Sequence, residues 1–216
     1  MSIHLYSYFR SSASYRVRIA LNLKGLSYAT LPVHLLNQGG QQFAAAFTAI
    51  NTQSLVPVLE QDGAHMTQSL AILEYLEERY PSPPLLPSGL IERAQVRAIS
   101  QAIACEIHPL NNLRVLRMLT QELGVSEQQK QQWIQHWIEL GFAALEAQLA
   151  SAPQLGRFCV GDTPSMADCC LVPQIFNARR FQVEMTPYPR LTAIEQACQE
   201  IEAFRQAAPG VQPDAA

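Results

Sequence analysis

The chain has 216 residues, 48% of them hydrophobic and 15% charged, with a formal net charge of −3 at pH 7. That length suits two domains at ~100–200 residues each, and the apolar share supports sizeable cores and argues against wholesale disorder. No basic tract stands out, which disfavours nucleic acid as the main partner, and no apolar run approaches the ~20 residues that span a bilayer.

The start, MSIHLYSYFR, lacks the pattern of a secretory signal. The cysteines are Cys105, Cys159, Cys169, Cys170 and Cys198, an odd number with one adjacent pair and no repeated CxxC unit. Reduced thiols in a cytoplasmic protein fit this better than a disulfide framework or a structural zinc site.

Residues 3–8 read as a strand with Ile3, Leu5 and Ser7 on one face. Ser14 can cap the following helix, which carries Val17, Ala20 and Leu21 and stops near Gly25. Residues 28–34 look extended, with Pro32 suited to an edge. A short helical stretch, 41–50, follows Gly39–Gly40. Val58–Glu60 and Ala64–Met66 flank Asp62–Gly63, a hairpin signal, and 69–80 has helical periodicity.

This β-α-β-α-β-β-α order ends at PSPPLLPSG, residues 81–89, a proline-stiffened linker. Strand signals then fade. Helices are expected at about 90–121, 127–150, 165–180 and 190–207, with Trp133, Trp137, Leu140 and Ala144 spaced as a core stripe. The tail APGVQPDAA reads as frayed. The expected domains are therefore 1–81 (α/β), a linker at 82–89, and 90–216 (all-helical).

Several residues point to chemistry. Val56–Pro57, ahead of the hairpin, suits a cis bond, with the Val56 N–H and C=O free to pair with an extended peptide. Gln68–Ser69 opens a helix, whose exposed amides together with the Ser69 hydroxyl make a carboxylate site. Ser165-x-x-Asp168 is a capping box, a stabilising feature. No cysteine precedes position 105, which excludes dithiol exchange in the first domain.

The chain resembles the zeta class of glutathione transferases over nearly its whole length. The stretches that carry the resemblance are YSYFRSSASYRVRIALNLKG, QSLAILEYLEERYP, IHPLNNLRVL, GDTPSMADCCLVPQ and ARRFQVEMTPYP. The first is specific to the class, whereas QSLAILEYLEE alone marks only the wider superfamily. Ala13 stands where the class usually has cysteine.

The resemblance implies the glutathione transferase fold, an α/β thioredoxin-like N-terminal domain followed by an all-α C-terminal domain that contributes the substrate site. It implies glutathione as coenzyme and a homodimer. It also implies cis–trans isomerisation of maleylacetoacetate, or alternatively maleylpyruvate, in aromatic catabolism. In that reaction a thiolate adds to the cis double bond, the charge spreads as an enolate, the single bond rotates, and elimination returns the trans alkene.

By the resemblance Ser11 is the thiolate partner and Ser12 its helper. His108, with Asn112, contacts glutathione beside Val56, Pro57, Gln68 and Ser69. A small keto-acid carrying two carboxylates is the expected substrate, and arginine forks suit carboxylates. Arg10, which precedes the serines, and Arg180, at the matching family position, are candidate clamps and Arg114 is a third, while Arg16 and Arg18 read as structural and Arg179 is undecided. Leu113 favours the maleylacetoacetate form. Rival readings are conjugation of halogenated acids, tyrosine activation by Tyr6 or Tyr8, and a binding protein without catalysis.

Overall fold

The structure is a computed structural model that describes residues 2–151 and 156–215. The chain divides into two compact units. One takes the residues up to Leu85 together with those from Gln199 on, and the other is Leu86–Cys198.

The first unit is built on a four-stranded sheet in the order β2-β1-β3-β4. Strand β1 (Ile3–Ser7) runs parallel to β2 (Ala29–Pro32) and antiparallel to β3 (Val58–Gln61), which pairs antiparallel with β4 (Ala64–Thr67). Alternation along β1 buries Ile3, Leu5 and Ser7, as expected from period-two spacing. Pro32 ends the edge strand, where a missing N–H costs no ladder bond. The β3–β4 turn holds Asp62 at φ 52° and Gly63 at φ 80°, the paired positive angles of a tight hairpin.

Helix α1 (Ser12–Leu23) packs on α3 (Ser69–Arg79); α1 buries Val17, Ile19 and Leu21, and α3 buries Ile72, Leu73 and Leu76. The stretch expected to be helical over 41–50 is broken into a 3-10 turn, Gln41–Phe43, and a single helical turn, α2 (Ala45–Thr48). At the far end of α1 the buried Lys24 Nζ donates to Glu77 Oε2 at 2.8 Å and to the carbonyls of Tyr80 and Pro83. Glu77 Oε2 also accepts the Leu85 amide at 2.8 Å. The first half of the proline-rich segment is thus fastened to this unit by a buried ion pair, and residues 82–85 do not behave as a free linker.

The second unit is helical. Helix α4 (Leu90–Gln101) runs into a π-helical turn, Ala102–Ile107, a 3-10 turn, His108–Asn111, helix α5 (Leu113–Arg117) and another π-helical turn, Met118–Glu122. A single helix over 90–121 is therefore not formed; Pro109 has no amide with which to continue the ladder.

Helix α6 (Glu127–Ala150) buries Ile134, Ile138, Phe142, Leu145 and Leu149. The stripe expected through Trp133, Leu140 and Ala144 is offset from the real core by one position, and Leu140 is exposed. Trp133 has an N–H to satisfy and donates it to the Leu110 carbonyl, so the face without polar atoms takes the interior. Helices α7 (Met166–Arg180) and α8 (Pro189–Gln199) complete the unit. Among the described residues no helix is long and apolar enough to cross a membrane.

Residues 199–215 depart from the sequence reading. They pack with the first unit, and α9 (Glu202–Ala207) lies against α1. The tail is held in place: Phe9 N–H donates to Asp214 Oδ2 at 2.9 Å, and Gln212 Nε2 donates to the carbonyls of Gln206 and Ala208. It is not frayed.

The capping box at the start of α7 is present. Ser165 is the N-cap, and the fully buried Asp168 accepts from Cys159 N–H at 2.9 Å, Ser165 N–H at 2.7 Å and the Ser165 hydroxyl at 2.8 Å. Burial pushes the Asp168 carboxyl up, and these donors pull against that shift. Asp168→Ala leaves three buried donors without an acceptor and is expected to lower stability by roughly 3 kcal/mol in urea unfolding at neutral pH. Ser165→Ala is expected to cost about 1 kcal/mol.

Candidate functional site

In the first unit the chain leaves β1 through Tyr8–Arg10 and enters α1 at Ser11. Ser11 is the N-cap, and its Oγ accepts from the Ser14 amide at 3.2 Å. The capping role expected of Ser14 belongs to Ser11, because the helix starts three residues earlier than that reading required. Ser14 is instead buried inside α1, its hydroxyl without a partner among the described residues. Ser11 is half-buried, Ser12 is buried in the first turn, and Ala13 is half-buried beside them. An N-cap hydroxyl that accepts from the backbone keeps its own proton for donation. That proton sits at the positive end of a 12-residue helix.

The loop ahead of Ser11 is fixed from below. Arg18, fully buried, donates through Nε to the Ala207 carbonyl, through Nη1 to Ser7 Oγ and through Nη2 to the Phe9 carbonyl at 3.0 Å. Burial lowers its pKa to about 10, so it stays protonated at neutral pH. Tyr8 and Phe9 share a core cluster with Val56 and Phe47, with the partly buried Ala215 packed against it. This cluster joins the pre-serine loop to the segment before β3.

That segment carries the cis Val56–Pro57 bond. Val56 is buried, and its amide and carbonyl make no hydrogen bond among the described residues. Gln53, three residues earlier, accepts from Gln68 Nε2 at 2.8 Å. Gln68 has φ 67°, a left-handed conformation strained for a residue with a Cβ. It turns the chain into α3, and Ser69, the first helical residue, is buried. Behind Ser69 lies Arg16 of α1, whose Nη1 donates to Ser69 Oγ at 3.1 Å. Arg16 was missed by sequence reasoning: its position one turn into a helix carries no signal that it reaches across to another.

The remaining candidates other than Arg10 lie on the second unit. His108 opens the 3-10 turn, and Asn112 caps α5 with its Oδ1 accepting the Arg114 amide at 3.1 Å, which leaves its Nδ2 as a donor. The Trp133 bond to Leu110 fastens this turn to α6. Arg114 is exposed. Arg180, at the end of α7, is exposed with its guanidinium over the Phe181 ring, and Arg179 is ion-paired with Glu195. On the first unit Arg10 is exposed, its guanidinium 4.8 Å from the Phe9 ring centre.

Tyr6 donates its hydroxyl to Glu60 Oε2, and burial together with that carboxylate raises its pKa. It is poorly placed to stabilise another anion. The Tyr8 ring is buried edge-on to Phe9 and His34. Burial and the nearby Asp168 push the Cys159 and Cys198 thiols up, which makes both unreactive.

The chain matches the family models for the glutathione S-transferase N-terminal domain over residues 5–84 and C-terminal domain over 127–210. It belongs to the glutathione S-transferase family. A probable maleylacetoacetate isomerase of Vibrio cholerae serotype O1 is 50% identical over 215 residues, spanning 100% of this chain and 99% of that protein.

Among solved structures, a holo maleyl pyruvate isomerase described as a bacterial glutathione S-transferase of the zeta class superposes with a TM-score of 0.96. It is 49% identical and covers 99% of this chain and 100% of its own. A maleylacetoacetate isomerase from Methylobacterium extorquens AM1, solved with bound malonate and glutathione, has a TM-score of 0.95, 38% identity and 99% coverage of both chains.

The hold of Asp214 on the serine loop can be measured directly. Asp214→Ala is expected to lower stability by about 1–2 kcal/mol and to speed hydrogen exchange at the Phe9 amide, while amides of the second unit keep their protection.

Proposed function

We propose that this chain is a glutathione-dependent cis–trans isomerase of small unsaturated keto-diacids, with maleylacetoacetate as substrate and fumarylacetoacetate as product. The observation that carries the reading is Ser11, whose oxygen is engaged by the Ser14 amide so that its proton is available at the start of α1. Glutathione, when bound, supplies a thiolate that adds to the cis double bond and leaves after rotation, so it is regenerated.

The residues present fit that coenzyme. Val56 offers an unpaired amide and carbonyl to an extended peptide, next to Pro57. The first amides of α3, with Ser69 and Gln68 at its start, suit a carboxylate. Ser11 donates to the sulfur, helped by Ser12 and the helix start, and so favours the anion. Family resemblance supports His108 and Asn112 as further glutathione contacts. Arg10, Arg114 and Arg180 are the candidates for holding substrate carboxylates, each with an exposed guanidinium suited to pairing a carboxylate. The malonate bound to the Methylobacterium relative supports a dicarboxylate substrate.

Maleylpyruvate is the second reading, favoured by the 49% identity to a maleyl pyruvate isomerase. Parallel assays with both acids, with and without glutathione, separate the two. Recovery of all added glutathione supports isomerisation, and stoichiometric loss would show conjugation instead. The five cysteines, none of them joined in a disulfide among the described residues, support a cytoplasmic setting. Leu90 and Ile91, 84% and 72% exposed at the start of α4, support a homodimer, which light scattering tests.

Ser11→Ala is expected to lower turnover at saturating glutathione by about 10- to 100-fold, the size of a lost hydrogen bond to an anion. The bound thiol should titrate closer to its free value of ~8.5, moving the rising limb of the pH–rate profile to higher pH. Because Ser11 also caps α1, stability should fall by about 1 kcal/mol; unchanged turnover in a folded variant would remove Ser11 from the mechanism.

A further inference from the structure

The start of α3 owes its chemistry to a residue on another helix. Arg16 is 2% exposed, lies in the second turn of α1, and donates from Nη1 to Ser69 Oγ at 3.1 Å. A guanidinium can only donate, so the bond consumes a lone pair of the serine oxygen and leaves the hydroxyl proton to point elsewhere. Donation from a cation also polarises that O–H and makes it a better donor. The hydroxyl stands at the N-terminus of an 11-residue helix, where the Ser69, Leu70 and Ala71 amides have no backbone acceptor among the described residues. A buried charge and a helix dipole therefore put positive potential on the same hydroxyl, away from the screening of bulk water.

We propose that Arg16 is a positioning residue for glutathione binding. It acts through Ser69, fixes the hydroxyl rotor and charges the site, so that the start of α3 selects a ligand carboxylate. The two arginines of the Arg-x-Arg pair then divide their work. Arg18 spends its donors on the Ser7 hydroxyl and on backbone carbonyls of the serine loop and α9, whereas Arg16 serves the ligand. This deepens the glutathione reading and rests on it. The arrangement selects for one of the two carboxylates of glutathione and is indifferent to the thiol.

The test is calorimetric binding and steady-state kinetics with Arg16→Met and three ligands. These are glutathione, its glycyl ethyl ester, and 4-aminobutanoyl-cysteinylglycine, which lacks the γ-glutamyl carboxylate. The variant is expected to bind glutathione about 10- to 100-fold more weakly, with KM for glutathione raised by the same factor and kcat at saturation within about twofold. Against the ligand missing the recognised carboxylate, variant and wild type should bind alike, and against the other analogue the full loss should remain. The loss should also shrink on a Ser69→Ala background, since the effect passes through that hydroxyl.

Equal weakening for all three ligands, or none for glutathione, overturns the proposal, as does full additivity with Ser69→Ala. If Arg16→Met does not fold, Arg16→Lys is read by the same selectivity criterion. Failure of the wild-type protein to bind glutathione at all would sink the functional reading and this inference with it, whereas wild-type binding with an unselective variant sinks the inference alone.

Discussion

The buried guanidinium of Arg18 is the contact on which the rest of the first unit hangs. Its three nitrogens reach a carbonyl in α9, the hydroxyl that ends β1 and a carbonyl in the loop before Ser11. An arginine taken fully out of water is tolerable only when its donors are matched, since an unmatched buried charge costs several kcal/mol. Satisfying Arg18 therefore obliges the stretch from Ser7 to Phe9 and the distant end of α9 to meet at one place. The loop that presents Ser11 is not held by local turn chemistry alone. It is pinned from beneath by Arg18 and from the side by Asp214.

This arrangement lets one serine serve two ends. The N-cap bond to Ser14 orients the Ser11 oxygen and stabilises the helix, and the same bond leaves the proton free to face outward. Structure and proposed chemistry thus share one hydroxyl group without competing for it. A comparable economy holds at α3, where the left-handed Gln68 places a helix start at the surface while Arg16 supports the Ser69 hydroxyl from within. In both places a short polar side chain at a helix start is backed by a bond from its own turn or from a neighbouring helix.

Much of this was legible in the residues because the signals were local. Period-two burial in β1, the Asp62–Gly63 hairpin, the amphipathic run of α3 and the capping box at Ser165 each depend on neighbours a few positions away. What escaped depends on distant partners. Residues 199–215 have the composition of a helix and a frayed end, and nothing in them reveals that Arg18 and Phe9 await them. The stripe on α6 was misplaced because both faces are apolar at helical spacing, and only the turn carrying Leu110 decides that Trp133 must turn its N–H outward from the core. Pro109 marked a break that the periodicity of the surrounding segment concealed. Arg16 looked like its neighbour two residues on, and only the position of α3 tells them apart.

The closure of the first unit by its distant tail sets an order of events during synthesis. The residues up to Leu85 emerge from the ribosome first, yet the carbonyl of Ala207 and the carboxylate of Asp214 follow only after Leu86–Cys198 has been made. At ~5–20 residues per second that interval is on the order of ten seconds. During it Arg18 and the Phe9 amide lack these partners and the serine loop is incomplete. The helical unit, contiguous in sequence, can mature in the meantime. A chain that began folding from its first strand would thus finish that same domain last, and binding competence would arrive with the final residues of α9 and the tail.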